Sequence, residues 1–300
     1  MVSIPSTPLP SILTKAILEE LFSDLDTRQV INLSNRCFTH IAPGAFYNLP
    51  NLRHFICHHN EIATIEPGTF NNLPLLDTIE LHYNQVATIA PGAFNNLPNL
   101  RRFICHNNQI ATIESDTFNN LPLLDTIELH YNQVATIAPN AFNNLPLLDT
   151  IELQYNQVAT IAPGAFYNLP NLKRLILHHN QTAIIEPGTF NNLPLLDTIE
   201  LHYNQIATIA PGAFYNLPNL RRFICHHNEI ATIESDTFNN LPLLNTIELH
   251  NNQIATIALG AFYNLPNLIH LILHNNILQY SPALQNIFDN VPLINILVCF

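Results

Sequence analysis

The chain repeats itself every 24 residues, ten times over, from Leu49 to about Asn290. The segment that begins at Leu49 reads LPNLRHFICHHN, and the segment one period later, at Leu73, reads LPLLDTIELHYN. A period of this length is typical of solenoids, in which units stack and no unit buries a core alone. We therefore expect one elongated domain whose functional surface is built from stacked positions and not from a single pocket.

The repeats divide the chain into three parts. Residues 28–290 hold one degenerate unit and ten units of the 24-residue type. Residues 1–27 are predicted to form an N-terminal capping segment, since Ser11 precedes apolar residues at spacings of three and four. That spacing is typical of an amphipathic helix, and Ser11 is the expected N-cap of the helix.

Residues 291–300 are predicted to be a partial C-terminal repeat or cap. In the repeat frame, Cys299 aligns with Cys57, so the chain stops inside a strand. The positions expected to face outward on this strand are Ile296, Val298 and Phe300. An apolar open edge of this kind recruits other strands, so self-association near Phe300 is one predicted role.

Charge and hydropathy exclude several kinds of partner. The 10 basic and 22 acidic residues give a formal net charge of -12, which repels nucleic acids and anionic membranes and favours a neutral to basic protein partner. No apolar run reaches the roughly 18 residues of a membrane span. Residues 1–10 carry no basic region and are interrupted by prolines, so we expect no secretory signal peptide.

Three of the five cysteines, Cys57, Cys105 and Cys225, occupy one repeat position. Equivalent strands stack about 4.8 Å apart, and these cysteines are at least two strands apart, which is too far for a disulfide. Reduced thiols predict a cytoplasmic protein, or one secreted into a host cell without a cleaved signal peptide.

Four repeat positions have a clear structural meaning. An asparagine recurs in every unit from Asn60 to Asn276, where its amide is expected to bond neighbouring turns in a ladder. All seven glycines share one position, which Asp116, Asn140 and Asp236 fill elsewhere; this predicts a left-handed backbone there. A phenylalanine two residues later is expected to form a buried aromatic spine, and three-residue alternations predict short parallel strands.

The conserved frame within one unit is Leu52, Phe55, Cys57, Asn60, Ile62, Ile65 and Phe70. This frame resembles the leucine-rich repeat family in its typical 24-residue form. The resemblance implies an α/β fold class: a curved horseshoe with a concave parallel β-sheet and irregular or short helical segments outside. It also implies a non-catalytic protein–protein interaction module. The cysteine-clustered caps of extracellular members are missing, and the freshly copied repeats resemble those of bacterial effectors.

We define the concave face as the outward side chains of this sheet and of the turn that follows each strand. One column alternates basic and acidic residues from Arg53 to Arg221, so neighbours neutralise each other. Further columns place isoleucines, expected to be exposed, between glutamates, with arginines diagonal to them. The predicted partner-binding residues are Ile56, Glu80, His82, Arg102, Ile104, His106, Glu128, His130, Glu152, Arg174, Ile176, His178, Glu200, His202, Arg222, Ile224, His226, Glu248 and His250.

The histidine column is the least ordinary of these, and its members are His58, His82, His106, His130, His178, His202, His226, His250 and His274. Gln154 interrupts it. Three readings are open: a hydrogen-bonding column multiplied by duplication, a charge switch, or a metal site. Protonation of all 15 histidines would take the net charge from -12 to +3. Because a linear file is not a ligand cage, we predict no metal and no cofactor.

Function is predicted to be binding on the concave face. No nucleophile, base and orienting group converge, and no phosphate-binding loop is present, so we predict no enzyme. One alternative is a substrate-receptor or adaptor subunit of a ubiquitin ligase, because residues 9–22 faintly resemble the opening of an F-box. A second is a self-associating structural protein. A third is an unused face, since a shift of 120 residues overlays the first four repeats on the sixth to ninth.

Overall fold

The computed structural model describes residues 11–289 and 295–297. Its main element is a 12-stranded sheet in which all neighbours are parallel and follow one another in the chain. The strands are Val30–Asn32, His54–Ile56, Thr78–Glu80, Arg102–Ile104, Thr126–Glu128, Thr150–Glu152, Arg174–Ile176, Thr198–Glu200, Arg222–Ile224, Thr246–Glu248, His270–Ile272 and Asn295–Leu297. The predicted solenoid is thereby confirmed.

Two-residue strands line the opposite side of the solenoid and pair in parallel within sheets of two or three strands. They are Ile12–Leu13, His40–Ile41, Thr64–Ile65, Thr88–Ile89, Thr112–Ile113, Thr136–Ile137, Thr160–Ile161, Ile184–Ile185, Thr208–Ile209, Thr232–Ile233 and Thr256–Ile257. Within residues 11–289 and 295–297, α-helix occurs only at the ends, as α1 (Lys15–Leu21) and α2 (Pro282–Asp289). The repeats are sheet and turn, so α/β describes the fold only loosely.

The predicted start of the N-terminal helix is wrong. Helix α1 begins at Lys15 and its N-cap is Thr14, whose side chain accepts a hydrogen bond from the Ile17 amide. Ser11 instead precedes the strand Ile12–Leu13, which pairs with His40–Ile41. The short strand of the first unit therefore gains a partner, which a helix from Ser11 would not supply. A 3₁₀-helix, Leu25–Thr27, leads from α1 into the sheet.

The recurring asparagines form the predicted ladder. The Oδ1 atom of Asn84 accepts a hydrogen bond from the Ile62 amide of the preceding unit at 3.0 Å. Its Nδ2 atom donates to the Cys57 carbonyl of that unit at 2.9 Å and to the Leu81 carbonyl of its own unit at 3.0 Å. Each side chain thus pairs buried polar groups on both units, which fixes the turn after every strand.

The core is one continuous cluster along the stack. Phe94, Phe118 and Phe142 are buried, with ring centroids of successive residues 5.6 and 5.7 Å apart, so the predicted aromatic spine is confirmed. Two residues before each ring, the chain turns through the left-handed region, at φ 78° for Gly92 and φ 60° for Asp116. This confirms why only glycine, asparagine and aspartate occupy that position.

The last strand is one residue out of the expected frame. Ile296 lies opposite Leu271, whereas the repeat frame would place Leu297 there. The unit before it contains α2 in place of the usual turn, so the offset between the last two strands is 25 residues and not 24. The alignment of Cys299 with Cys57 and the predicted set of outward positions are therefore wrong. Val298, Cys299 and Phe300 lie outside the described residues.

The thiols within residues 11–289 and 295–297 are all free. Cys57, Cys105 and Cys225 are buried in one core column, and Cys37 is exposed. Burial raises the pKa of the Cys57 thiol to about 12, so it remains a protonated core residue at neutral pH. The predicted absence of a disulfide among the three column members is confirmed.

Candidate functional site

The sheet places equivalent side chains in straight columns. Strands pair so that Arg102 lies opposite Thr126 and Ile104 lies opposite Glu128, and the same register holds in the neighbouring pairs. Outward residues of adjacent units are therefore nearest neighbours across the sheet. The predicted partner-binding residues of residues 56–250 do form one continuous face.

The expectation that the isoleucines of this face are exposed is wrong. Ile104, Ile176 and Ile224 are only 7%, 6% and 7% exposed, and Ile56 is half-buried. Each isoleucine lies between glutamates of the two adjacent strands. An arginine two residues before it reaches across to one of those glutamates. The charged side chains therefore cover the apolar ones, and a partner contacts charge and not an apolar stripe.

The diagonal arginine–glutamate pairs predicted from the sequence are confirmed. Their N–O distances are 3.4 Å for Arg102–Glu128, 3.2 Å for Arg174–Glu200 and 3.9 Å for Arg222–Glu248. The alternating column is also partly paired, through Lys173–Asp149 at 2.6 Å, Arg101–Asp77 at 3.6 Å and Arg221–Asp197 at 3.6 Å. Exposed pairs contribute only about 0–1 kcal/mol each, so their main effect is to order the cations.

The histidine column is a pair of ring stacks. Centroids of successive rings are 4.4 to 4.8 Å apart from His58 to His130 and 4.4 to 4.7 Å apart from His178 to His274. Gln154 separates the stacks. It bonds Glu152, whose Oε2 atom is 3.3 Å from the His130 Nδ1 atom. All of these rings are half-buried, so they line the surface as predicted.

A second row follows the histidine column at the next residue of each turn, and we call it the aromatic row. Its ring-bearing members are His59, Tyr83, Tyr131, Tyr155, His179, Tyr203 and His227. Their φ angles lie between 53° and 57°, a region that bulky side chains rarely adopt. The rings stack, for example Tyr131 on Tyr155 at 4.4 Å. Sequence reasoning did not select this row, although its recurrence was visible.

Burial shifts the titration of the histidine column downward. The pKa is about 4 for His82, about 3 for His202 and about 4 for His226, chiefly because burial disfavours the charged ring and next because neighbouring histidines repel it. The same causes lower the pKa of His250, and burial lowers that of His178. These rings are neutral at pH 7.

We expect acid to destabilise the fold before most carboxylates titrate. Because these pKa values lie below the usual value of about 6.5, their stabilisation is complete above that pH and is lost as the pH falls toward about 4. The urea midpoint should therefore drop between pH 7 and pH 5. A variant with His82, His202 and His226 replaced by glutamine, the residue found at 154, should drop less; equal drops would contradict this account.

Three groups of histidines come together where the column and the row meet. Among the described residues they are His58 with His59 and His82, His178 with His179 and His202, and His226 with His227 and His250. The ligand atoms of each group lie within 4.8 Å of one another. None of the helices in the described part of the chain is long and apolar enough to cross a membrane.

Comparisons with known proteins agree on the architecture. The profile of the BspA type leucine rich repeat region matches residues 2–121 and 64–196, in six copies, and a second leucine rich repeat profile matches residues 170–230 and 218–278. No curated protein matches the sequence.

Two solved structures share the fold. One is a chain of the octameric complex of latrophilin 3, Unc5D and the leucine-rich repeat protein FLRT2, at TM-score 0.70 and 22% identity, covering 99% of this chain and 86% of that chain. The other is a chain of the Drosophila Toll–Spatzle complex, at TM-score 0.59 and 23% identity, covering 82% of this chain and 36% of that chain. At these identities the likeness concerns the fold.

Proposed function

Because the chain belongs to the leucine-rich repeat family, we propose that it is a non-catalytic recognition module that binds a protein or peptide on its concave face. The fold is that of chains found in receptor complexes. The sheet offers a wide surface of aligned side chains, and a surface of this form suits an extended or broad partner better than a small molecule.

The observation that carries the proposal is the distribution of basic residues. Seven of the ten lysines and arginines lie in two adjacent columns of the concave face, although the chain as a whole is acidic. They are Arg53, Arg101, Arg102, Lys173, Arg174, Arg221 and Arg222. Six of them have a carboxylate within 3.9 Å, and their side chains are still 50% to 56% exposed.

Such cations are well suited to recognition. A guanidinium that is already held by a glutamate loses little conformational entropy when it meets a partner, so more of the contact energy appears as affinity. The remaining donors of Arg102, Arg174 and Arg222 can bind carbonyl or carboxylate groups of that partner. The exposed tyrosines of the aromatic row, such as Tyr131 and Tyr203, supply anchoring area beside them.

The proposed partner is a neutral to basic protein or peptide whose charges alternate along its length. The net charge of -12 attracts such a partner at long range, whereas the alternating columns select the register at short range. The proposed setting is the cytoplasm, or a host cell into which a bacterium secretes the protein without a cleaved signal peptide. Free core thiols such as Cys105 support either setting.

A displayed peptide library tests the proposal. We expect peptides selected on the full chain to lose at least about tenfold in affinity when Arg102, Arg174 and Arg222 are all replaced by glutamate, because each substitution turns an ion pair into a repulsion. A drop of this size is a readout by surface plasmon resonance, and circular dichroism verifies that each variant is folded.

The matched control is a triple alanine variant of Tyr47, Tyr167 and Tyr215, which are 73%, 57% and 70% exposed at positions outside the concave face. This variant should bind the selected peptides as the unaltered chain does. Selection of no peptide at all would refute the proposal. Peptides that lose affinity only with the tyrosine variant would do the same.

A further inference from the structure

The three histidine groups at the edge of the concave face have a geometry that the linear column lacks. In each, two consecutive histidines turn their Nδ1 atoms toward each other, at 2.9 Å for His58 and His59, 2.9 Å for His178 and His179, and 2.8 Å for His226 and His227. At this separation one nitrogen must carry a proton and the other accept it. A metal ion can take the place of that shared proton.

The third histidine of each group provides an independent observation. The Nδ1 atoms of His82, His202 and His250 are buried and have no hydrogen-bond partner. An unpaired buried nitrogen costs about 1–3 kcal/mol, so a group of this kind calls for a ligand. Each of these nitrogens belongs to a ring that the stack holds against the preceding histidine, at 4.4 Å for His58 and His82.

We propose that these three trihistidine clusters bind divalent transition-metal ions of the Zn²⁺ class, one ion per cluster. Neutral imidazole is a good ligand for Zn²⁺, Cu²⁺ and Ni²⁺. Zinc–nitrogen bonds of about 2.0–2.1 Å place tetrahedral ligand atoms roughly 3.3 Å apart, so ligand atoms within 4.8 Å need only small ring movements to close on an ion. Three nitrogens leave a fourth position for water or for a group of a partner.

The rings are in the form that a metal requires. A ligating histidine must be unprotonated, and burial together with the neighbouring rings keeps the pKa of His82 and His202 far below 7. The column alone supplies a straight file of nitrogens, as the sequence indicated. The histidine of the aromatic row turns that file into a cluster, because the left-handed turn at φ 54° for His59 brings its ring beside His58.

The chain contains its own comparison for these clusters. The third unit has the same frame, with His106 and His130 in the positions of His58 and His82, but Asn107 replaces the middle histidine. There the His106 Nδ1 atom is 2.8 Å from the Asn107 Oδ1 atom and the metal-binding geometry is lost. Asn107 has a φ of 55°, so exchange between asparagine and histidine at this position leaves the backbone unchanged.

Titration calorimetry with Zn²⁺ tests the proposal on the full chain, stripped with chelator and without a histidine tag. We expect three ions per chain. The variants His59→Asn, His179→Asn and His227→Asn should each lose one ion, and the triple variant should lose all three. Co²⁺ added in place of Zn²⁺ should give the visible absorption of a low-symmetry site in the unaltered chain and not in the triple variant.

The reverse exchange gives a gain of binding that loss of structure cannot imitate. Asn107→His should complete a cluster with His106 and His130 and raise the stoichiometry from three ions to four. The proposal is overturned if the triple variant retains the ions, if Asn107→His adds none, or if the unaltered chain shows only weak and unsaturable uptake. Peptide binding to the concave arginines is measured separately, so failure of one proposal leaves the other decided on its own data.

Discussion

Phe118→Ala should lower the free energy of unfolding by about 3–5 kcal/mol. The ring is fully buried and lies 5.6 Å from Phe94, 5.7 Å from Phe142 and 5.6 Å from Phe103, measured between centroids. Its removal leaves a cavity in the middle of the spine, and neighbours that are held in the repeat frame cannot collapse into it. Urea unfolding followed by circular dichroism measures the loss.

The matched control is Tyr167→Ala, which removes a ring of similar size that is 57% exposed. Its effect should stay within about 0.5 kcal/mol. Equal losses for the two variants would show that the spine does not concentrate stability in the way described here. A changed denaturant slope for Phe118→Ala alone would indicate that unfolding has become less cooperative along the stack.

Asn156→Ala should lower the free energy of unfolding by about 3 kcal/mol, because it leaves a buried amide without a partner. The Oδ1 atom of Asn156 accepts from the Val134 amide at 2.9 Å, and its Nδ2 atom donates to the carbonyls of Leu129 and Leu153 at 3.0 and 3.1 Å. No water can replace an interaction that lies between two stacked units. The same urea experiment gives the magnitude.

Gln157→Ala is the control, since that side chain is adjacent and exposed. It should change stability by no more than about 0.5 kcal/mol. Hydrogen exchange provides a second test, in which the Val134 amide should become the most strongly accelerated amide in Asn156→Ala. Unchanged exchange at Val134 would mean that the ladder bond does not protect this turn.

Much of the fold was predictable because repetition turns one local preference into many identical observations. The asparagine of every unit, the position shared by Gly92 and Asp116, and the phenylalanine after it each have one physical reading, and all three were confirmed. Parallel pairing also followed from the period, since equivalent strands of successive units can only run in one direction.

The errors concern positions where neighbours in space decide. Ile104 points outward on its strand, but its exposure depends on how far Arg102 and Glu128 extend over it, which periodicity does not reveal. The start of α1 depends on a strand partner 28 residues further along the chain. At the other end, α2 changes the spacing, and one extra residue shifts the register.

The candidate site was predictable in part. The histidine column was visible, and so were the diagonal ion pairs. The trihistidine clusters were not, because they need the ring of His59 to approach His58 and His82, and that approach depends on the left-handed turn. A sequence of neighbouring histidines gives ligand identity, whereas the turn gives convergence.

The constant pairing register has a consequence for the length of the chain. Residues 76 and 196 are both leucine and residues 77 and 197 are both aspartate, and the strands on either side of both points meet in the same register. Removing the 120 residues between them would join two surfaces that already fit each other. Gene-level slippage can therefore lengthen or shorten this protein in whole modules, and the span of its binding surface can evolve without any new interface.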